Sequence, residues 1–96
     1  MRRLDLVRSR RDAILRLAAK YGVRSVRLFG SVARGEEKPE SDLDVLVAFE
    51  PGRSLLDQAG FEEELEVLLG CKVEVVAEGG ISPYLEAGIL GEAVPL

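Results

Sequence analysis

The apolar positions come in short runs whose period changes along the chain. From Leu4 to Lys20, Val7, Ile14, Leu17, Ala18 and Tyr21 recur at helical spacing, while Arg8, Arg10, Arg11 and Arg16 take other faces. That spacing predicts one amphipathic helix with a solvated basic side, stopped by Gly22. Val23 to Phe29 reads as a strand with Val26 and Leu28 on one side, ended by Gly30. Ser31 to Arg34 makes a short helical turn, and Gly35 to Glu40 is a polar loop broken by Pro39. Leu43 to Phe49 is almost continuously apolar, the pattern of a strand in a sheet covered on both faces. Pro51-Gly52 is a turn, and Ser54 with Asp57 resembles a capping box. The helix it opens runs to Leu69, carries Leu55, Phe61, Leu65, Leu68 and Leu69, and is stopped by Gly70. Gly60 should weaken it by about 1 kcal/mol relative to alanine. Lys72 to Val76 is a third strand, and Gly79-Gly80 is a flexible break. Ser82-Pro83 reads as the cap and first residue of a last helix to about Ile89, and Ala93 to Leu96 as a brief edge strand. The order predicts an α/β (α+β) fold, a small mixed sheet flanked by helices, as a single domain over residues 1–96.

Composition narrows the chemistry. Apolar residues make up 47% of the chain, enough for a core. The formal charge is −4, which argues against a nucleic-acid groove and leaves room for a basic protein partner or a metal-neutralised substrate. Histidine is absent and Cys71 is the single cysteine. There is therefore no histidine general base, no histidine ligand, no internal disulfide and no cysteine zinc site, and Cys71 reads as a core or near-core residue. No apolar run approaches membrane length, and the start MRRLDLVRSRRD is not a secretory signal, so the cytoplasm is the expected location.

The most informative stretch is FGSVARGEEKPESDLDVLV, residues 29–47. Asp42 and Asp44 are two apart, so on extended backbone their carboxylates point the same way, with Cα atoms about 6 to 7 Å apart. Such a pair repels by roughly 3 kcal/mol at 5 Å and an effective dielectric of 20. A hard divalent cation relieves this best, and Mg²⁺ keeps positions free for phosphate oxygens. Glu74 is the one acid inside the apolar strand KVEVV, and an acid there is unfavourable unless something needs it. With it as a third carboxylate, two ions could be held to polarise an attacking oxygen and grip a triphosphate. Gly30-Ser31 supplies a phosphate end, because glycine lets backbone approach an anion closely and Ser31 adds a hydroxyl. Arg34 and Lys38 could meet phosphates or simply face solvent, and Ser41 reads as a brace for the turn entering the acidic strand. Asp42 and Asp44 also have a bland reading, as a turn acid and a solvent-facing strand acid.

Taken together, GSVARG at 30 to 35 and SDLDVLV at 41 to 47 resemble the nucleotidyltransferase superfamily that includes DNA polymerase beta. The small size and the ending ISPYLEAGILGEAVPL resemble its minimal, MNT-type branch, and the likeness runs from about residue 10 to the end. The resemblance implies that Gly30 and Ser31 bind nucleotide phosphate, and Arg34, from its own place in the motif, is a further candidate for nucleotide binding. The resemblance also implies that Asp42, Asp44 and Glu74 are the catalytic, metal-binding acids. Glu74 stands where the family often has Asp. The resemblance further implies Mg²⁺, ATP, and transfer of AMP to a tyrosine of a HEPN-type RNase toxin, with this chain as antitoxin. Larger members carry a substrate domain, so the acceptor here is expected to bind through a partner surface. Two alternatives stay open: a non-catalytic module that neutralises a partner by occlusion, and nucleotidyl transfer to RNA or a small molecule. The general base, Asp44 or Glu74, is also open.

Overall fold

The computed structural model describes residues 2–80 and 83–96. Its centre is an antiparallel pair, β1 (Val23–Phe29) and β2 (Leu43–Phe49). β3 (Val73–Ala77) joins β2 in parallel, and β4 (Val94–Pro95) lies antiparallel on the far side of β1. The sheet is thus mixed, in the order β3-β2-β1-β4. Both central strands occupy the spans their apolar pattern predicts, whereas β3 starts one residue later than expected.

The N-terminal segment is two helices rather than one, α1 (Arg3–Ser9) and α2 (Arg11–Lys20). Arg10 breaks the run at φ −108° and ψ 17°. The Ser9 hydroxyl donates to the Leu6 carbonyl at 2.7 Å, and the Arg10 N–H is shared between the carbonyls of Leu6 and Val7. Residues 8–12 offer no apolar side chain to hold a continuous helix on the sheet. The break sends α1 towards the polar loop, where the Arg3 guanidinium donates to the carbonyls of Lys38 (3.2 Å) and Pro39 (2.8 Å).

Register sorts the side chains by face. Leu28 pairs with Val45, Val26 with Val47, and Val45 with Val75, and this face packs against Ile14 and Ala18 of α2 and Phe61 and Leu65 of α4 (Leu55–Leu69) in one buried cluster. The opposite face carries Leu46, buried at 1% exposure, with Asp44 and Ala48 half-buried on either side. Cover on both faces is therefore realised at Leu46 and gives way to the acids at the strand's start.

The capping box of α4 forms as predicted. Ser54 Oγ accepts from the Leu56 N–H at 3.2 Å, and Asp57 accepts from the Ser54 N–H at 3.0 Å. Ser54→Ala should lower stability by about 1 kcal/mol, read as a shifted urea midpoint with an unchanged slope. Leu55 is 81% exposed, because the buried apolar stripe of α4 begins only at Phe61 and continues through Leu65 and Leu69. Gly60 has a packing reason: a Cβ there would lie 2.6 Å from Cε1 of the Tyr21 ring. Cys71 is a free thiol packed partly buried against the core.

The last helix, α5 (Pro83–Glu92), runs past Ile89. Neither Gly88 nor Gly91 takes a positive φ, so neither ends it. Ser82, the expected cap, lies outside the described residues. Among the described residues no helix is long and apolar enough to cross a membrane.

Candidate active site

The site is built where β1 runs into the short helix α3 (Gly30–Arg34). Phe29 is extended, Gly30 turns to φ +75°, and Val32, 1% exposed, pins the helical turn to the core. Gly35 then ends it in the left-handed conformation, and the Glu36 N–H closes on the Ser31 carbonyl at 2.8 Å. Gly30 is required twice over. Its positive φ disfavours any side chain, and a Cβ would fall 2.2 Å from Asp44 Oδ2. The glycine-serine turn and the acidic strand, separate in sequence, are thus in contact.

Strand register brings the acids together. Asp44 stands opposite Phe29 on one side and Glu74 on the other, and Glu74 is exposed. Burial, first, and then the charge and hydrogen bond of Glu74 and the charge of Asp42 push the Asp44 carboxyl up from 3.8 to about 6, against a small opposing pull from Arg34. Asp42 lies half-buried just before β2 begins. Among the described residues no three such side chains are grouped tightly enough to enclose an ion. The donor chemistry nonetheless fits a hard divalent cation. Asp44 and Glu74 are paired oxygen donors, and burial together with the charge of Glu74 raises the Asp44 pKa, a cost that a bound divalent cation would offset.

Ser31 lies in α3 beside Gly30, half-buried. Arg34 is exposed and held between two carboxylates, its Nε donating to Glu36 at 2.9 Å and its Nη1 to Glu92 at 3.0 Å. Lys38 is exposed in the loop. Ser41 braces the turn as expected: its hydroxyl oxygen accepts from the Lys38 N–H at 2.9 Å.

Glu92 is the site residue that the sequence reading did not single out. It closes α5 and its second oxygen accepts from the Gly30 N–H at 3.1 Å. Those two donors hold its pKa below the usual carboxylate value. The available signal was the one that exposed Glu74, an acid within an apolar run, here ILGEAVPL. A separate groove between α2 and α4, lined by Leu17, Lys20, Glu64 and Leu68, lies on the helix-covered side of the sheet, away from the acids.

A glycine-serine turn packed onto a strand-borne acid pair is the arrangement expected from the resemblance to nucleotidyltransferases. The sequence model described as the nucleotidyltransferase domain matches residues 10–96. A Methanocaldococcus jannaschii protein, provisionally named a protein adenylyltransferase, is 46% identical over 81 residues, 84% of this chain and 87% of its own length. The protein adenylyltransferase MntA of Thermococcus cleftensis is 42% identical over 78 residues, 81% of this chain and 79% of that protein. A solved structure described as a minimal nucleotidyltransferase superposes with a TM-score of 0.88 at 54% identity, over 97% of this chain and 95% of that one. At 18% identity, a chain from the complex of a tri-AMPylated Shewanella oneidensis HEPN toxin with its MNT antitoxin shares the fold alone, with a TM-score of 0.68 over 99% of this chain and 71% of that one. The chain belongs to the nucleotidyltransferase domain family, and it is a nucleotidyltransferase.

Proposed function

We propose that this enzyme moves AMP from ATP onto a protein hydroxyl, a tyrosine of a HEPN-type RNase toxin, and so serves as the toxin's antitoxin in the cytoplasm. The contact of Gly30 with Asp44 carries the reading, since it sets an acid pair directly against a turn suited to phosphate. Gly30, Ser31 and Arg34 bind the phosphates. Asp42, Asp44 and Glu74 would hold Mg²⁺, which when bound supplies charge neutralisation for the triphosphate and the leaving pyrophosphate.

The acceptor hydroxyl enters from solvent on the Glu74 side, because Glu74 is exposed and Asp44 is half-buried behind it. Glu74 takes the hydroxyl proton. The acceptor oxygen bonds to the α-phosphorus as the bond from that phosphorus to pyrophosphate breaks. The names of the two archaeal relatives support a protein acceptor, and the partner class proposed is the one present in the Shewanella complex, whose MNT chain has the same fold.

The test is to incubate the purified chain with the toxin, α-labelled ATP and Mg²⁺. Label should appear on the toxin while its RNase activity falls. Toxin silenced without label would instead establish occlusion, and label on added RNA would move the acceptor to nucleic acid.

A further inference from the structure

The geometry points to Glu92 as an internal stand-in for nucleotide phosphate, occupying the donors of the α3 turn until a triphosphate displaces it. This rests on the proposed function, which gives the Gly30 N–H and the Arg34 guanidinium to phosphate. In the structure both already have an anion. Glu92 Oε1 accepts from Gly30 N at 3.1 Å, and Oε2 accepts from Arg34 Nη1 at 3.0 Å. One carboxylate thus spans two donors that converge on a single negative group, as two phosphate oxygens would. A phosphate and Glu92 cannot both take them. Glu36 holds the other edge of Arg34 and Asp44 adds negative charge against Gly30, so Glu92 is one of three carboxylates around these donors, and its withdrawal removes the one that occupies them directly.

Two observations favour a displaceable group over a fixed brace. Glu92 is partly open to solvent, its side chain 33% exposed against 45% for Arg34, so water can replace either partner as the bond opens. The helix that carries it buries none of its described residues. A segment with so little buried area opens locally at small cost. The two-residue strand β4 that follows α5 stays paired with β1 and keeps the segment attached.

The consequence is a conformational tax on nucleotide affinity. If Glu92 fills the donors in about nine molecules of ten, removing it tightens nucleotide about tenfold. The experiment is calorimetric titration of the full chain with α,β-methylene ATP and Mg²⁺, comparing wild type, Glu92→Gln and Glu92→Ala. Thermal melts of each chain identify any variant that loses its fold. Glu92→Gln keeps the shape and one acceptor for Gly30, so it carries the test should the alanine variant unfold. The expected result is a lower Kd in both variants, larger in alanine. Equal or weaker binding by folded variants, with normal binding by wild type, makes Glu92 a structural brace and overturns the stand-in alone. No binding by any chain overturns the stand-in and the nucleotide reading together.

Discussion

Asp44→Asn will reduce nucleotidyl transfer about a thousandfold or more, while the cation-free protein becomes more stable above neutral pH. The first half follows from losing a charged oxygen donor at the centre of the acid row, where cation binding is expected to contribute several kcal/mol to the barrier. The second half follows from the Asp44 pKa, raised from 3.8 to about 6 by burial and by Glu74 and Asp42. Between those two values the folded state binds more protons than the unfolded chain. Stability therefore falls as pH rises across that window, and the full penalty persists above it. Asp44 is partly open to solvent, so the penalty, discounted for screening, is about 1 to 2 kcal/mol. Asparagine carries no such charge. Melting curves at pH 4 and pH 8 should show the variant gaining on wild type at pH 8 and losing that advantage at pH 4. Millimolar Mg²⁺ should raise the wild-type melting temperature at pH 8 and leave the variant nearly unmoved. Equal transfer by the two proteins would remove Asp44 from the chemistry.

Gly30→Ala carries the second large effect. The new methyl meets Asp44 Oδ2 at 2.2 Å, and the backbone at φ +75° is strained for any L side chain. Relieving both requires the turn to open or Asp44 to rotate away. Strain of this kind removes about 1 to 3 kcal/mol of stability, and a displacement of about 1 Å in a reacting group lowers rate about a hundredfold. Transfer should therefore fall about a hundredfold in a protein that still folds with a lower melting temperature. Wild-type rates from Gly30→Ala would mean that the turn and the acid do not work as one unit.

The two central strands could be read residue for residue, since glycine ends one of them and a solid apolar run defines the other. So could the cap at Ser54 and the brace at Ser41, because each depends on neighbours within three or four positions. The break at Arg10 was hidden, since the apolar positions either side of it keep the same helical spacing and only local backbone geometry separates them. The exposure of Leu55 was hidden for a related reason: at a helix's first position the cap, not hydrophobicity, sets where a side chain points. The site divides along the same line. Spacing revealed the acids and the glycine-serine turn individually. Their contact arises from the pairing of Phe29 with Asp44 and of Asp44 with Glu74, which joins distant segments. Glu92 stands out locally as an acid in the apolar run ILGEAVPL, but its partner Gly30 lies 62 positions away and only the folded chain brings them together.

β3 lies parallel to β2, so the chain must travel the length of α4 before Glu74 can reach its place opposite Asp44. A nascent polypeptide ending at Leu69 holds the glycine turn and two aspartates but not their partner. On the proposed assignment of the acids, the full carboxylate set is assembled late, on completion of a long-range crossover, and an interrupted translation product would bear most of the recognisable motif without its third acid.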